Sequence, residues 1–125
     1  MKLQIDYKKE LNEQQFDAVK QIYGSHLIIA GAGTGKTRTL VYRVAHLIEN
    51  GIKPESILLL TFTRKSANEM MKRASNILDS RCNNISGGTF HSFANTLLRK
   101  YAKLIGYSNN FLIIDKSDSE TLLKH

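Results

Sequence analysis

Residues 27–40 read LIIAGAGTGKTRTL, and no other stretch restricts what this chain can fold into so tightly. The apolar run His26–Ala30 leads into Gly31, Gly33 and Gly35, then Lys36 and Thr37, after which Leu40, Val41, Val44 and Ile48 recur at helical spacing. A short apolar run closed by glycine predicts a buried strand, so the order is strand, glycine loop, helix. Glycine reaches backbone angles closed to other residues and lets main-chain N–H groups approach an anion. A helix starting at Lys36 adds the partial positive charge of its N-terminus at the same spot. The arrangement suits a nucleoside triphosphate. Ala30, Gly31, Ala32, Gly33, Thr34 and Gly35 would wrap the phosphates, Lys36 would reach the β- and γ-phosphates, and the Thr37 hydroxyl would ligate Mg²⁺. The strict pattern has glycine first; Ala30 stands there and keeps the small size the position demands. The competing reading is a glycine-rich turn with a chance Gly-Lys-Thr.

The rest of the chain repeats the strand–helix alternation. Asn12 is a natural N-cap for a helix bearing Phe16, Val19 and Ile22, and Gly51 closes the helix after the loop. Ile57–Phe62 predicts a second strand, apolar on both faces as parallel strands are. Ala67, Met70, Met71, Ala74 and Leu78 line the next helix, Ile85–Phe90 a weaker third strand, and Phe93, Leu97, Leu98 and Tyr101 another helix. Phe111–Ile114 is a last apolar run before a terminal helix. The alternation predicts an α/β fold, a parallel sheet with helices on both faces.

Eighteen basic against eleven acidic residues leave a charge of +7, which attracts polyanions, nucleic acid first. The apolar runs fall far short of the roughly 18 residues needed to cross a bilayer. The opening MKLQIDYKKELNEQQ is charged where a signal peptide is apolar, so a cytoplasmic protein is expected. Cys82, the single cysteine, excludes an internal disulfide and reads as a bystander thiol.

Four ordered segments resemble the UvrD/Rep/PcrA group of superfamily 1 DNA helicases. LNEQQFDAV is similar to the family's adenine-reading motif, and AGAGTGKTRTL to its Walker A segment, alanine start included. LLLTFTRKSANEMMKR and GGTFHSFANTLLR are similar to two motifs that contact single-stranded DNA. The resemblance covers nearly the whole chain. It implies a three-layer RecA-like P-loop NTPase fold, ATP and Mg²⁺ as cofactors, DNA that is single-stranded or carries a single-stranded tail as partner, no membrane, and 3′ to 5′ translocation in repair or replication. Gln15 is then the adenine reader, its amide offering both donor and acceptor, and Arg38 packs by the adenine or ribose. Thr61, Phe62 and Thr63, at the end of the second strand, and Thr89, Phe90, His91 and Ser92, at the end of the third, contact DNA by stacking and by hydrogen bonds to phosphate. Arg64 stands where the family commonly has asparagine; it adds a phosphate contact or marks a divergent branch. Lys65, Lys72 and Arg73 enlarge the basic surface or are ordinary solvated charges.

Hydrolysis also needs carboxylates for Mg²⁺ and water, and arginines for the transferring phosphoryl group. FLIID ends in Asp115, but Lys116 follows where the family's metal-binding Asp-Glu-x-x-Asp would continue, so Asp115 is assigned a capping or turn role. The resemblance therefore implies that residues 1–125 are the N-terminal part of the first motor domain, an incomplete domain stopping before Walker B. The remainder of the parent chain is the implied partner, and the fragment alone is not expected to be catalytically competent. Three rivals stay open. One is the helicase part of a RecB- or AddA-like helicase–nuclease, and another a small P-loop kinase using Asp115. The third is a non-catalytic nucleic-acid-binding module.

Overall fold

The computed structural model describes residues 3–124, in two compact units that meet in the chain between Phe90 and His91. In the first unit, helices α1 (Tyr7–Glu10) and α2 (Glu13–Lys20) precede the glycine loop and helix α3 (Lys36–Glu49) follows it. A short 3₁₀ turn (Pro54–Ser56), strand β1 (Leu58–Thr61), helix α4 (Arg64–Ile77), a second 3₁₀ turn (Ser80–Asn84) and strand β2 (Ser86–Thr89) complete it. Helix α5 (Phe90–Tyr101) opens at the boundary; a 3₁₀ stretch (Ala102–Ile105) and helix α6 (Lys116–Leu123) make up the second unit.

Local chemistry sets the helix ends. The Asn12 side chain accepts from Gln15 N at 2.8 Å while the Gln15 amide oxygen accepts from Asn12 N at 3.2 Å, a reciprocal cap that starts α2 where the sequence predicts. The helix stops at Lys20, so Ile22 lies beyond it. Helix α3 ends at Glu49, and Gly51 turns the chain at φ +87°. Thr63 caps α4, whose buried Ala67 and Ala74 face the core beside Met70, Met71 and Leu78.

Strands β1 and β2 pair in parallel, with Leu58 opposite Ser86 and Thr61 opposite Thr89, and α4 packs on both. The result is a mixed helix–strand architecture around a two-stranded parallel sheet, consistent with an incomplete α/β domain. Two expectations change. Only one side of β1 is well buried: Leu59 and Thr61 are covered, whereas Leu58 is 44% exposed. His26–Ala30 is not a buried strand but an exposed connecting segment, with Leu27 and Ile29 each 87% exposed. Phe111–Ile114 is likewise irregular and mostly exposed. An apolar run becomes a strand only where a neighbour takes up its N–H and C=O groups, and no described residue ladders with either run.

Two clusters share α3. Val41, Val44 and Ile48 meet Ile57, Leu59, Ala74, Cys82 and Ile85, while Tyr42 joins Tyr7, Leu11 and Val19. Burying such side chains stabilises by about 1.5–3 kcal/mol each, so α3 is anchored on two sides. Burial also pushes the Cys82 thiol up, leaving it a protonated core group.

The far end of α3 ties down the segment before α1. Glu49 is buried and accepts hydrogen bonds from the Tyr7 hydroxyl and from Gln4 N. The His46 ring meets the Tyr7 ring edge-on at 4.9 Å. Burial holds the His46 imidazole below its ordinary pKa; Glu49 opposes that shift and Arg43 adds to it. An unfolded histidine binds its proton near pH 6.5, about where the folded one does not. Stability supplied by neutral His46 is therefore complete above that pH and falls as the pH drops below it. Denaturant titrations between pH 7.5 and 5.5 should show this decline, and His46→Gln should flatten it.

Candidate functional site

Helices α1, α2, α4 and α6 each begin under a side-chain acceptor: Asp6, Asn12, Thr63 and Asp115. Helix α3 does not. Its N-cap is Gly35, at φ +84°, with no side chain to take up the first-turn N–H groups. Gly33 also lies at positive φ, +74°, a conformation that lets the loop turn its backbone inward. Those N–H groups and the helix dipole are left for an anion.

The loop is folded around its own lysine. Lys36 Nζ donates to the carbonyls of Ala30 at 3.1 Å and Gly31 at 3.4 Å. The Thr34 hydroxyl donates to Gly31 O at 2.6 Å and the Thr39 hydroxyl to Gly35 O at 3.1 Å. Ala32 is exposed on the loop, and Thr37 sits half-buried in the first turn of α3. Beside the loop opens a cavity of about 550 Å³ lined by Asn12, Gln14, Gln15 and Ala18 of the α2 region, residues 28–31, Thr34, Lys36 and Thr39. That volume lies in the range of small-molecule sites. The loop, Lys36 and Gln15 thus share one pocket. Gln15 Nε2 donates to Thr34 O at 3.4 Å, and a Cβ placed on Gly35 would lie 2.7 Å from it.

Arg38 does not line that cavity. Its Nη2 donates to the Glu10 carbonyl at 2.8 Å and to Glu10 Oε2 at 3.0 Å, with the Tyr42 hydroxyl at 3.4 Å and the Tyr42 ring 4.8 Å from Cζ. Tyr42 in turn donates to Glu10 Oε2 at 3.1 Å; burial, then the bond to Glu10, pushes its hydroxyl up, so it stays a donor. Arg43 donates to Ala18 O at 2.7 Å, fastening the last turn of α2 to α3. Reading the sequence alone misses Glu10, Tyr42 and Arg43. The spacing of Arg38 and Tyr42 four apart on a helix is a visible signal. The approach of Glu10 is not, because it depends on how α1 meets α3.

The C-terminal ends of β1 and β2 carry a second constellation. The rings of Phe62 and Phe90 lie 5.4 Å apart, tilted by 38°, and are 88% and 48% exposed. Thr61 and Thr89 are buried beneath, the Thr61 hydroxyl donating to Thr63 O at 2.8 Å. Thr63 is occupied with the α4 cap, and Arg64 starts that helix with an exposed side chain. An exposed aromatic pair at the edge of a parallel sheet offers flat faces to planar ligands. In the second unit, His91 and Ser92 are exposed in the first turn of α5. There too Asp115 Oδ1 accepts from Asp118 N at 2.8 Å, the N-cap of α6, as its assigned capping role requires. Among the described residues no three metal-ligating side chains cluster, and no helix is long and apolar enough to cross a membrane.

An uncapped helix N-terminus, a glycine loop closed on a lysine and a cavity beside them lie together in a mixed helix–strand chain. Residues 11–125 match the family described as UvrD/REP helicase N-terminal domain, and the chain belongs to that family. It is 42% identical over 117 residues to the ATP-dependent DNA helicase PcrA of Staphylococcus epidermidis, covering 93% of this chain and 16% of that relative. It is 43% identical over 126 residues to the ATP-dependent DNA helicase srs2 of Schizosaccharomyces pombe, covering 99% of this chain and 14% of that relative. The chain therefore spans a small part of the length of these relatives.

Proposed function

We propose that these residues are the ATP-binding, N-terminal part of a RecA-like motor domain, within a cytoplasmic ATP-dependent helicase that moves 3′ to 5′ along single-stranded DNA in repair or replication. The observation that carries the reading is the α3 N-terminus: it alone of the long helices of the first unit lacks a side-chain cap, and Lys36 is turned into the loop in front of it. The residues present fit ATP and Mg²⁺. Residues 30–35 supply backbone donors, Lys36 a charge for the terminal phosphates, Thr37 a hydroxyl for the metal, and Gln15 and Arg38 the side chains for the nucleoside. The bound Mg²⁺ supplies charge neutralisation at the phosphates. Phe62 and Phe90 stack on bases without regard to sequence, and Thr61, Thr63 and Thr89 support them. Arg64 adds a phosphate contact. His91 and Ser92, in the second unit, are further DNA contacts in their own right. Asp115 is engaged as a cap, so the metal and water carboxylates are assigned to the parent chain, and residues 1–125 alone bind without turnover.

The test is titration of the chain with ATP in the presence of Mg²⁺ and, separately, with a single-stranded oligonucleotide. Saturable binding of both is expected. Loss of one stacking face costs about 1–3 kcal/mol, so Phe62→Ala should weaken oligonucleotide binding about tenfold and leave ATP binding unchanged. DNA-stimulated ATP hydrolysis by these residues alone, or DNA binding indifferent to Phe62, would contradict the proposal.

A further inference from the structure

We infer that Glu10, assisted by Tyr42, is a positioning residue that orders the Arg38 guanidinium beside the glycine loop, so that affinity for ATP over bare triphosphate depends on the Glu10 carboxylate. The inference rests on the nucleotide reading above and adds the groups that orient Arg38.

Arg38 follows Thr37 directly, and its stem starts beside the cavity. A Cβ placed on Gly35 would lie 3.9 Å from Arg38 Cβ and 2.7 Å from Gln15 Nε2, so the arginine stem and the Gln15 amide flank the same glycine. From there the guanidinium is fixed by one nitrogen only. Both contacts to Glu10 and the contact to Tyr42 run through Nη2. Stacking on the Tyr42 ring, with Cζ 4.8 Å from its centre, sets the plane of the fork. Among the described residues no acceptor engages Nη1 or Nε, which leaves three of the five guanidinium N–H donors for a ligand. The side chain is 47% exposed, open to solvent while its orientation is set.

Three physical consequences follow. Ordering a long side chain before binding removes the entropy loss that binding would otherwise carry. The Glu10 charge balances that of Arg38, so the fork presents directed donors rather than another net charge competing with Lys36 for phosphate. Donors of this kind suit the neutral acceptors of a ribose or a base edge. Glu10 reaches this place because it ends α1, two residues before the Asn12 cap that starts α2, the helix that carries Gln15.

The experiment uses the 125-residue chain and a fluorescent ATP analogue displaced either by ATP or by inorganic tripolyphosphate. Loss of a charge-assisted anchor predicts that Glu10→Ala weakens ATP about fivefold to twentyfold while tripolyphosphate changes by less than about twofold. Glu10→Gln, which keeps an acceptor but drops the charge, should recover only part of the loss. Arg38→Ala should match Glu10→Ala, and the double variant should add nothing further. Unchanged or tighter ATP binding in Glu10→Ala overturns the assignment. So does an equal loss for tripolyphosphate, which would mean general damage to the pocket, or a Glu10→Ala effect that persists in the Arg38→Ala background. A wild type that binds neither ligand overturns the nucleotide reading itself, and the assignment of Glu10 falls with it.

Discussion

Lys36→Ala should lower ATP affinity at least about a hundredfold, close to 2.8 kcal/mol, with little change in thermal stability. In the structure the ammonium group donates to the carbonyls of Ala30 and Gly31, two neutral acceptors on an exposed loop. Removing such surface bonds costs the fold about 0.5–1 kcal/mol at most. With ATP bound, the same group would instead face phosphate oxygens that carry most of the ligand's charge, next to the open N-terminus of α3. The asymmetry between a small effect on folding and a large one on binding is what separates a phosphate site from a glycine turn. Calorimetric titration with ATP and Mg²⁺, beside a thermal melt of the same variant, checks both halves. Equal ATP affinity in wild type and Lys36→Ala would remove the loop from the binding site.

The parts of this site that could be read from residues alone are those governed by local rules. Glycine at positive φ before a helix, the Asn12–Gln15 cap and the apolar runs that become β1 and β2 each lie where the sequence puts them. Asp115 as an N-cap belongs to the same class. His26–Ala30 and Phe111–Ile114 do not, since a strand is a property of two segments and neither run finds its ladder among the described residues. The Glu10–Arg38 bridge spans 28 positions and the Tyr7–Glu49 bond 42, so nothing in local spacing announces either. At the sheet edge the residue types alone do not say which way each side chain faces. Thr61 and Thr89 pair at the strand ends and are buried, while Phe62 and Phe90, one residue past each strand, are exposed, a division that decides which of them can touch a ligand.

The largest effect on folding is expected at the opposite end of α3, in Glu49→Ala. Glu49 is 4% exposed and accepts from two donors at once, the Tyr7 hydroxyl and the main-chain N–H of Gln4. Truncation to alanine removes both acceptors and leaves Tyr7, itself 3% exposed, with a buried hydroxyl. An unsatisfied buried polar group costs about 1–3 kcal/mol, and the N–H of the exposed Gln4 can turn to water, so the Tyr7 hydroxyl alone predicts a loss of about 1–3 kcal/mol, a large share of a small domain's stability. Glu49→Gln separates charge from hydrogen bonding. Its amide keeps one oxygen for one donor but turns an NH₂ toward the other, so an intermediate loss is expected. Tyr7→Phe in the Glu49→Ala background should cost less than Tyr7→Phe alone, because the hydroxyl it removes no longer has its partner. Denaturant unfolding of the four proteins at pH 7.5, with His46 neutral, measures the coupling. Additive losses would mean that Tyr7 and Glu49 act through packing alone. The expected coupling would instead make their bond the clamp that holds the Gln4–Tyr7 segment, and with it α1 and Glu10, against the helix that carries the phosphate loop.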